Sequence, residues 1–163
     1  MSGKVTPAVT ALTEAGIDHR LHEYEHAAGG DVGYAVEAAE KLGIDPEQVF
    51  KTLVVELDGD ERRLGVVVAP ATGDVDLRAA AGALGGKRAA LADQTRAERT
   101  TGYVVGGISP FGQRKALPTV LDETAVLFDT IFVSAGRRGL EIEVAPDDLV
   151  AVLDATCADI ARS

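Results

Sequence analysis

Cysteine is scarce in this sequence and long apolar runs are missing, and each of these features excludes a class of protein. Cys157 is the single cysteine among 163 residues, so the chain cannot form an internal disulfide or a zinc site built from several thiolates. No apolar run approaches the ~18 residues that a membrane-spanning helix needs. Residues 1–4 lack the apolar segment of a signal peptide. We therefore expect a cytoplasmic protein that does not bind membranes.

Aromatic residues are also few, at 4% of the chain, so aliphatic side chains must supply the core. The hydrophobic fraction of 46% excludes a disordered chain. A length of 163 residues fits one domain, which we place at residues 1–163. We expect Cys157 to be a buried packing residue on a C-terminal helix.

Basic residues are outnumbered, with 16 Lys and Arg against 26 Asp and Glu, which gives a net charge of −10. Because phosphate contacts supply most nucleic-acid affinity, this balance argues against strong autonomous binding of nucleic acid. We expect no DNA partner. Six basic residues nevertheless lie between Lys87 and Lys115, against two acidic ones. That segment is either a solvent-exposed face of the protein or a surface that contacts nucleic acid.

Helix and strand signals intermix without the regular spacing of βαβ units. Thr6 and Pro7 are typical of the N-cap and first residue of a helix, and Gly16 of its end. Similar signals predict helices at residues 34–42, 75–84, 92–99 and 147–153, and strands at 17–24, 49–57, 64–69, 120–121, 131–134 and 140–144. The predicted fold class is α+β with a mixed, largely antiparallel sheet.

Lys51 is the one charge in the apolar strand segment 49–55. Charged side chains avoid protein interiors unless they are paired. Two interpretations follow from the pattern alone. Either Lys51 lines a cavity and stabilises an anionic transition state, or it lies on the exposed face of a half-buried strand.

A glycine-rich segment, GGISPFG at residues 106–112, lets the backbone approach a ligand closely. It does not have the spacing of a phosphate-binding P-loop, and a purely structural turn explains it as well. Residues 134–136 likewise fit either a ligand contact or a hairpin turn.

No other catalytic pattern stands out. His19, His22 and His26 are close in sequence but lack metal-ligand spacing. Ser109 lacks the setting of a nucleophile elbow. We expect no metal and no cofactor.

Taken together, these segments resemble the YbaK/EbsC family of aminoacyl-tRNA deacylases, which are related to the editing domain of prolyl-tRNA synthetases. The matching segments are residues 6–9 (TPAV), 22–24 (HEY), 37–39 (EAA), 49–53 (VFKTL), 101–110 (TGYVVGGISP), 117–119 (LPT) and 133–141 (VSAGRRGLE). FKTL followed at this distance by GGISP is the strongest joint signal. The resemblance implies a barrel-like sheet surrounded by helices and a mischarged tRNA substrate bound by its acceptor end, classically Cys-tRNA(Pro).

The resemblance also implies roles for individual residues. Lys51 is the essential catalytic residue of the site. The implied substrate-binding residues are Tyr24, Tyr34, Thr52, Gly106, Gly107, Ile108, Ser134 and Glu141. The family commonly has Asp where this chain has Glu141, which is one methylene longer.

The implied mechanism needs no enzyme nucleophile, because the thiol of the substrate cysteine attacks its own carbonyl. Lys51 then stabilises charge on the ester or the leaving ribose oxygen, and the amides of Gly106 and Gly107 serve the carbonyl oxygen. Two alternatives stay open. One is a deacylase for Ala-tRNA(Pro), and the other is a non-catalytic module that binds tRNA or a synthetase. Prolyl-tRNA synthetase is the expected protein partner.

Overall fold

The computed structural model describes residues 5–25 and 34–162, with five α-helices and ten strands. The helices are α1 Pro7–Glu14, α2 Tyr34–Leu42, α3 Leu77–Ala83, α4 Gln94–Thr101 and α5 Pro146–Leu153. The strands are β1 His19–Glu23, β2 Phe50–Leu57, β3 Asp60–Pro70, β4 Asp74–Val75, β5 Ala89–Leu91, β6 Thr119–Asp122, β7 Ile131–Arg137, β8 Leu140–Val144, β9 Thr156–Ala158 and β10 Ala161–Arg162. No helix within these residues has the length and apolar content to cross a membrane.

Side-chain caps explain where several helices begin. The Thr6 hydroxyl accepts a hydrogen bond from the Val9 amide at 3.2 Å, with proline at the first helical position. Asp76 and Asp93 cap α3 and α4 in the same way. The predicted N-terminus of α1 is therefore confirmed. α3 begins two residues later than predicted, because Asp76 is its cap.

The strands form one five-stranded sheet in the order β5-β2-β3-β6-β9, one three-stranded sheet β1-β8-β7 and a two-stranded pair β4–β10. Five strand pairs are antiparallel, while β6 pairs parallel with both β3 and β9. The α+β class with a mixed, largely antiparallel sheet is thus confirmed.

The location predicted for Cys157 is wrong. It lies in β9, opposite Leu121 of β6, and it is exposed. The pairing joins segments more than thirty residues apart, so no local pattern announces it. β9 is at the edge of the sheet, and the Cys157 side chain is not part of the hydrophobic core.

The main hydrophobic core lies between the two larger sheets, and the alternation of β2 and β3 explains its composition. Val54 and Val66 point into it, while Val55 and Val67 point to the opposite face, against α3. The five-stranded sheet is therefore covered on both faces, which accounts for the continuous apolar character of these strands.

A third cluster joins the two larger sheets. Val49 forms an isolated parallel bridge with Phe132 of β7, and both pack with Ala39 of α2. β5 pairs with β2 only from Val55 to Leu57. Among the described strands, none covers the edge of β2 between the bridge and Val55, so a gap opens there.

Asp122 anchors the C-terminal segment, and its removal provides a stability test. The side chain is fully buried, and its carboxylate accepts hydrogen bonds from the amides of Ile160 and Ala161, both at 3.0 Å, and of Thr124 at 3.1 Å. Asp122→Ala leaves these donors without an acceptor, so we expect the free energy of unfolding to fall by about 3 kcal/mol in denaturant titrations. Asp159→Ala, at an exposed position of the same segment, is the control. Equal losses in both variants would contradict the anchoring role.

Candidate active site

A cavity of about 440 Å³ lies at the uncovered edge of β2. Its size is in the range of pockets that take small molecules. Its polar side chains are Tyr24, Lys51, Thr52, Gln94, Ser134 and Glu141. Its other lining residues are Val36, Phe50, Leu53, Val54, Ala71, Leu91, Ala92, Ala97, Val105, Gly106 and Ile108. The cavity thus joins β2, β5, β7 and β8 with helices α2 and α4, the glycine-rich loop and Tyr24, which follows β1.

A peptide group of β2 faces this cavity. The Val54 carbonyl accepts from the Ala92 amide at 2.9 Å, on the side away from β3, whereas the Val49 carbonyl accepts from Ala71, which follows β3. Backbone N–H and C=O groups point to alternate sides along an antiparallel strand. The backbone groups of Lys51 therefore face β3, and those of Thr52 face the gap. The Thr52 peptide therefore offers a donor and an acceptor at the open edge.

One wall of the cavity is polar. Val49, just before β2, is extended and packs with Phe132. Lys51 lies two residues further along the chain, so its side chain points to the same face of the sheet as Val49. On β7 the residue two after Phe132 is Ser134, which lies opposite Glu141 in the register of β7 and β8. Lys51, Ser134 and Glu141 therefore lie on the same side of the two sheets.

The other wall is apolar. Phe50, Val54, Ala97 and Ile108 line the cavity and belong to the main core. Thr52 lies between Phe50 and Val54 on the same face of β2. The edge of the strand thus separates a charged wall from an apolar wall within one cavity.

Lys51 is half-buried and its amine is held in place. Nζ donates a hydrogen bond to the Gly73 carbonyl at 2.7 Å, in the turn between β3 and β4. Of the two interpretations drawn from the sequence, the structure favours the cavity-lining one, since Lys51 is part of the cavity wall. A positive charge held at this position is available to an anionic group in the cavity.

Glu141 is the most strongly perturbed acid of the site. The residue is only 5% exposed, and burial raises the pKa of its carboxyl to about 8. Burial also raises the pKa of Tyr24 to about 12, with a further contribution from the charge of Glu141. Both groups are therefore mainly neutral at pH 7, so Glu141 can donate as well as accept a hydrogen bond.

Thr52 carries an orphan hydroxyl. Within the part of the chain that the structure describes, its Oγ1 is the one buried side-chain polar atom without a hydrogen-bond partner. Such an atom costs free energy, typically about 1–3 kcal/mol, and functional sites are where it is tolerated.

The glycine-rich loop is both a turn and a wall of the cavity. Gly106 lines the cavity with a φ of +96°, which only glycine adopts readily. The amide of Gly107 donates to the Val104 carbonyl at 2.8 Å, and a Cβ on Gly107 would lie 2.9 Å from Arg137 Cα. The role predicted for the Gly107 amide is therefore not supported, because that amide closes the turn.

Most of the predicted site residues converge. The cavity brings together Tyr24, Lys51, Thr52, Gly106, Ile108, Ser134 and Glu141. Gly107 belongs to the same loop but does not line the cavity. The side chain of Tyr34 falls outside the described part of the chain, as does His26. Within residues 5–25 and 34–162, no three metal-binding side chains cluster.

The sequence did not point to several residues that build the site. Gly73 holds the amine of Lys51 from 22 residues away, and Leu91, Ala92 and Gln94 close one side of the cavity. These residues carry no catalytic side chain and no unusual pattern. Only the folded arrangement of β2, β5 and α4 brings them to Lys51.

Comparisons with known proteins show what the chain is similar to. Residues 30–152 match the family model described as aminoacyl-tRNA editing domain. A protein of Enterococcus faecalis, a candidate Cys-tRNA(Pro)/Cys-tRNA(Cys) deacylase named EbsC, is 40% identical over 138 residues, which cover 85% of this chain and 83% of that protein. The resemblance inferred from the sequence is thereby confirmed.

Solved structures share the fold. A candidate trans-editing enzyme for prolyl tRNA synthetase has a TM-score of 0.83 at 23% identity, covering 100% of this chain and 99% of its own. The hypothetical protein APE2540 has a TM-score of 0.84 at 24% identity, covering 96% and 100%. At these identities the likeness establishes the fold alone.

Proposed function

Because the chain belongs to the aminoacyl-tRNA editing domain family, we propose that it is a trans-acting deacylase that removes cysteine from mischarged tRNA, Cys-tRNA(Pro) foremost. The observation that carries the proposal is the half-buried Lys51, whose amine is held by the Gly73 carbonyl in a cavity of about 440 Å³ that Ser134 and Glu141 also line. That volume suits the aminoacyl end of a tRNA. The proposal takes residues 1–163 as one such domain, acting in the cytoplasm.

Lys51 supplies the charge that the reaction needs. As the ester is cleaved, negative charge develops on the carbonyl oxygen and then on the leaving ribose oxygen. An ammonium group held at a half-buried position stabilises that charge more strongly than it would in bulk water. Moving from the Gly73 carbonyl to the substrate exchanges a hydrogen bond to a neutral acceptor for one to an oxygen that is becoming negatively charged.

Backbone and hydroxyl groups complete the site. The Thr52 peptide and the Gly106 backbone lie at the edge of the cavity, where they bind the polar atoms of the ester. Ser134 and the neutral Glu141 carboxyl lie on the Lys51 side, where they bind the amino group or the terminal ribose. Each is a substrate-binding residue in this proposal, together with Tyr24, Ile108 and Tyr34.

The attacking group is the thiol of the substrate. The cysteine sulfur forms a bond to its own carbonyl carbon, the bond from that carbon to the ribose oxygen breaks, and the ribose oxygen takes the thiol proton. The released thiolactone is then opened by water. Such an intramolecular step gains from proximity, which reaches roughly 7–11 kcal/mol in well-aligned systems.

Prolyl-tRNA synthetase is the proposed partner. A net charge of −10 gives the chain little electrostatic attraction for the phosphates of tRNA. A synthetase that releases mischarged tRNA next to the deacylase would compensate for this weak attraction.

Deacylation of Cys-, Ala- and Ser-tRNA(Pro) side by side tests the function. We expect Cys-tRNA to be hydrolysed at least about tenfold faster than Ser-tRNA, because a thiol is the better nucleophile. Equal rates for the two would remove the thiol from the mechanism. A preference for Ala-tRNA would identify an alanine deacylase, and binding without hydrolysis would identify a non-catalytic module.

A further inference from the structure

The apolar wall of the cavity contains one polar group, the Thr52 hydroxyl, that makes no hydrogen bond within the described part of the fold. Phe50, Val54, Ala97 and Ile108 form this wall together with Thr52, whose hydroxyl lacks a partner. Valine has the same shape and would avoid the cost of this hydroxyl. A threonine at this position is therefore explained best by a group that arrives with the substrate.

The position of Thr52 defines which part of the substrate it meets. Lys51 and Thr52 are consecutive, so their side chains leave opposite faces of β2, yet both line the same cavity. The ester must lie next to Lys51, at the strand edge. A side chain branching from the adjacent carbon then has room on the far side of that edge, against the apolar wall.

The chemistry of that wall fits a small side chain with one weakly polar atom. Aliphatic and aromatic groups exclude a charged or strongly hydrated group, since no counter-charge is present among them. The Thr52 hydroxyl can donate to or accept from a thiol or a hydroxyl. Because Oγ1 is buried in the absence of substrate, the contact needs a rotation about χ1 that turns the hydroxyl toward the cavity.

We propose that Thr52 is a specificity-determining residue whose hydroxyl contacts the side-chain thiol of the substrate amino acid. The inference rests on the proposed function. Binding cysteine gives the orphan hydroxyl a partner, whereas binding alanine leaves it unpaired. Thr52 thus separates cysteine and serine from alanine, and the reactivity of the thiol then separates cysteine from serine.

The test compares Thr52→Val with Thr52→Ser on Cys-tRNA and Ala-tRNA. We expect Thr52→Val to lower kcat/KM for Cys-tRNA about tenfold and to change kcat/KM for Ala-tRNA less than about twofold, so the preference for cysteine falls about tenfold. Thr52→Ser keeps the hydroxyl and is expected to keep most of that preference. The thermal midpoint of Thr52→Val should equal or exceed that of the wild type, because the variant lacks the unpaired hydroxyl.

Thr13→Val is the matched control, since the Thr13 hydroxyl donates to the Val9 carbonyl on the exposed face of α1, away from the cavity. A Thr52→Val enzyme that retains the wild-type preference would overturn the inference. So would parallel losses on both substrates with a lower thermal midpoint, which would show a structural role. A wild type that hydrolyses neither tRNA would instead overturn the proposed function, and this inference with it.

Discussion

Lys51→Ala is expected to lower kcat/KM for aminoacyl-tRNA deacylation by about 10²–10³-fold without unfolding the protein. The Lys51 ammonium is the one cation in the cavity wall among the described residues, and removal of one group that stabilises a developing oxyanion typically has an effect of this size. The fold should persist, because the side chain is half-buried and makes a single hydrogen bond, to the Gly73 carbonyl.

Single-turnover deacylation measures the loss, and the thermal midpoint checks the fold. Lys51→Met keeps the length of the side chain without its charge, so it should be as inactive as Lys51→Ala. Lys87→Ala, at an exposed position outside the cavity, should behave like the wild type. A folded Lys51→Met enzyme with substantial activity would show that the charge is not what the reaction uses.

Glu141→Gln is expected to remove a strong pH dependence from the stability of the protein. Burial raises the pKa of Glu141 to about 8 from its ordinary value of 4.5, so the folded state holds a proton that the unfolded state loses at a lower pH. The contribution of Glu141 to stability is therefore fully present below pH 4.5 and is lost as the pH rises to about 8. The difference between the two pKa values corresponds to on the order of 5 kcal/mol.

Denaturant titrations between pH 4.5 and 8 measure this effect as the difference in unfolding free energy between wild type and Glu141→Gln. The difference should shift in favour of the variant as the pH rises. Glu143→Gln, on the same strand, is the control of opposite sign. Hydrogen bonds from Thr130 and His22 lower the pKa of Glu143. The contribution of Glu143 to stability is therefore present when the pH is above the ordinary pKa of a glutamate, and it is lost as the pH falls. A flat difference for Glu141→Gln would show that the carboxyl is ionised and solvated.

The local elements of the fold could be predicted from the sequence, because their causes are local. Thr6 is the N-cap of α1 and Pro7 its first residue, so the start of this helix is encoded in two neighbouring residues. The hairpins β2–β3 and β7–β8 join neighbouring segments, so turn residues and β-propensity suffice to predict them. Short strands such as β5 and β9 escaped prediction, because they are stabilised by pairing with distant partners rather than by their own composition.

By itself, the sequence determined that Lys51 is a charge within an apolar strand, and its segments carried the family resemblance. Only the tertiary structure decided what surrounds that charge. β5 leaves β2 at Val55 and Val49 bridges to β7, so the edge between them stays open. The cavity that forms there has Lys51 and Glu141 on one wall and Thr52, with its unpartnered hydroxyl, on the other. Burial and unpaired hydrogen-bonding groups depend on what packs nearby, and these neighbours are far apart along the chain.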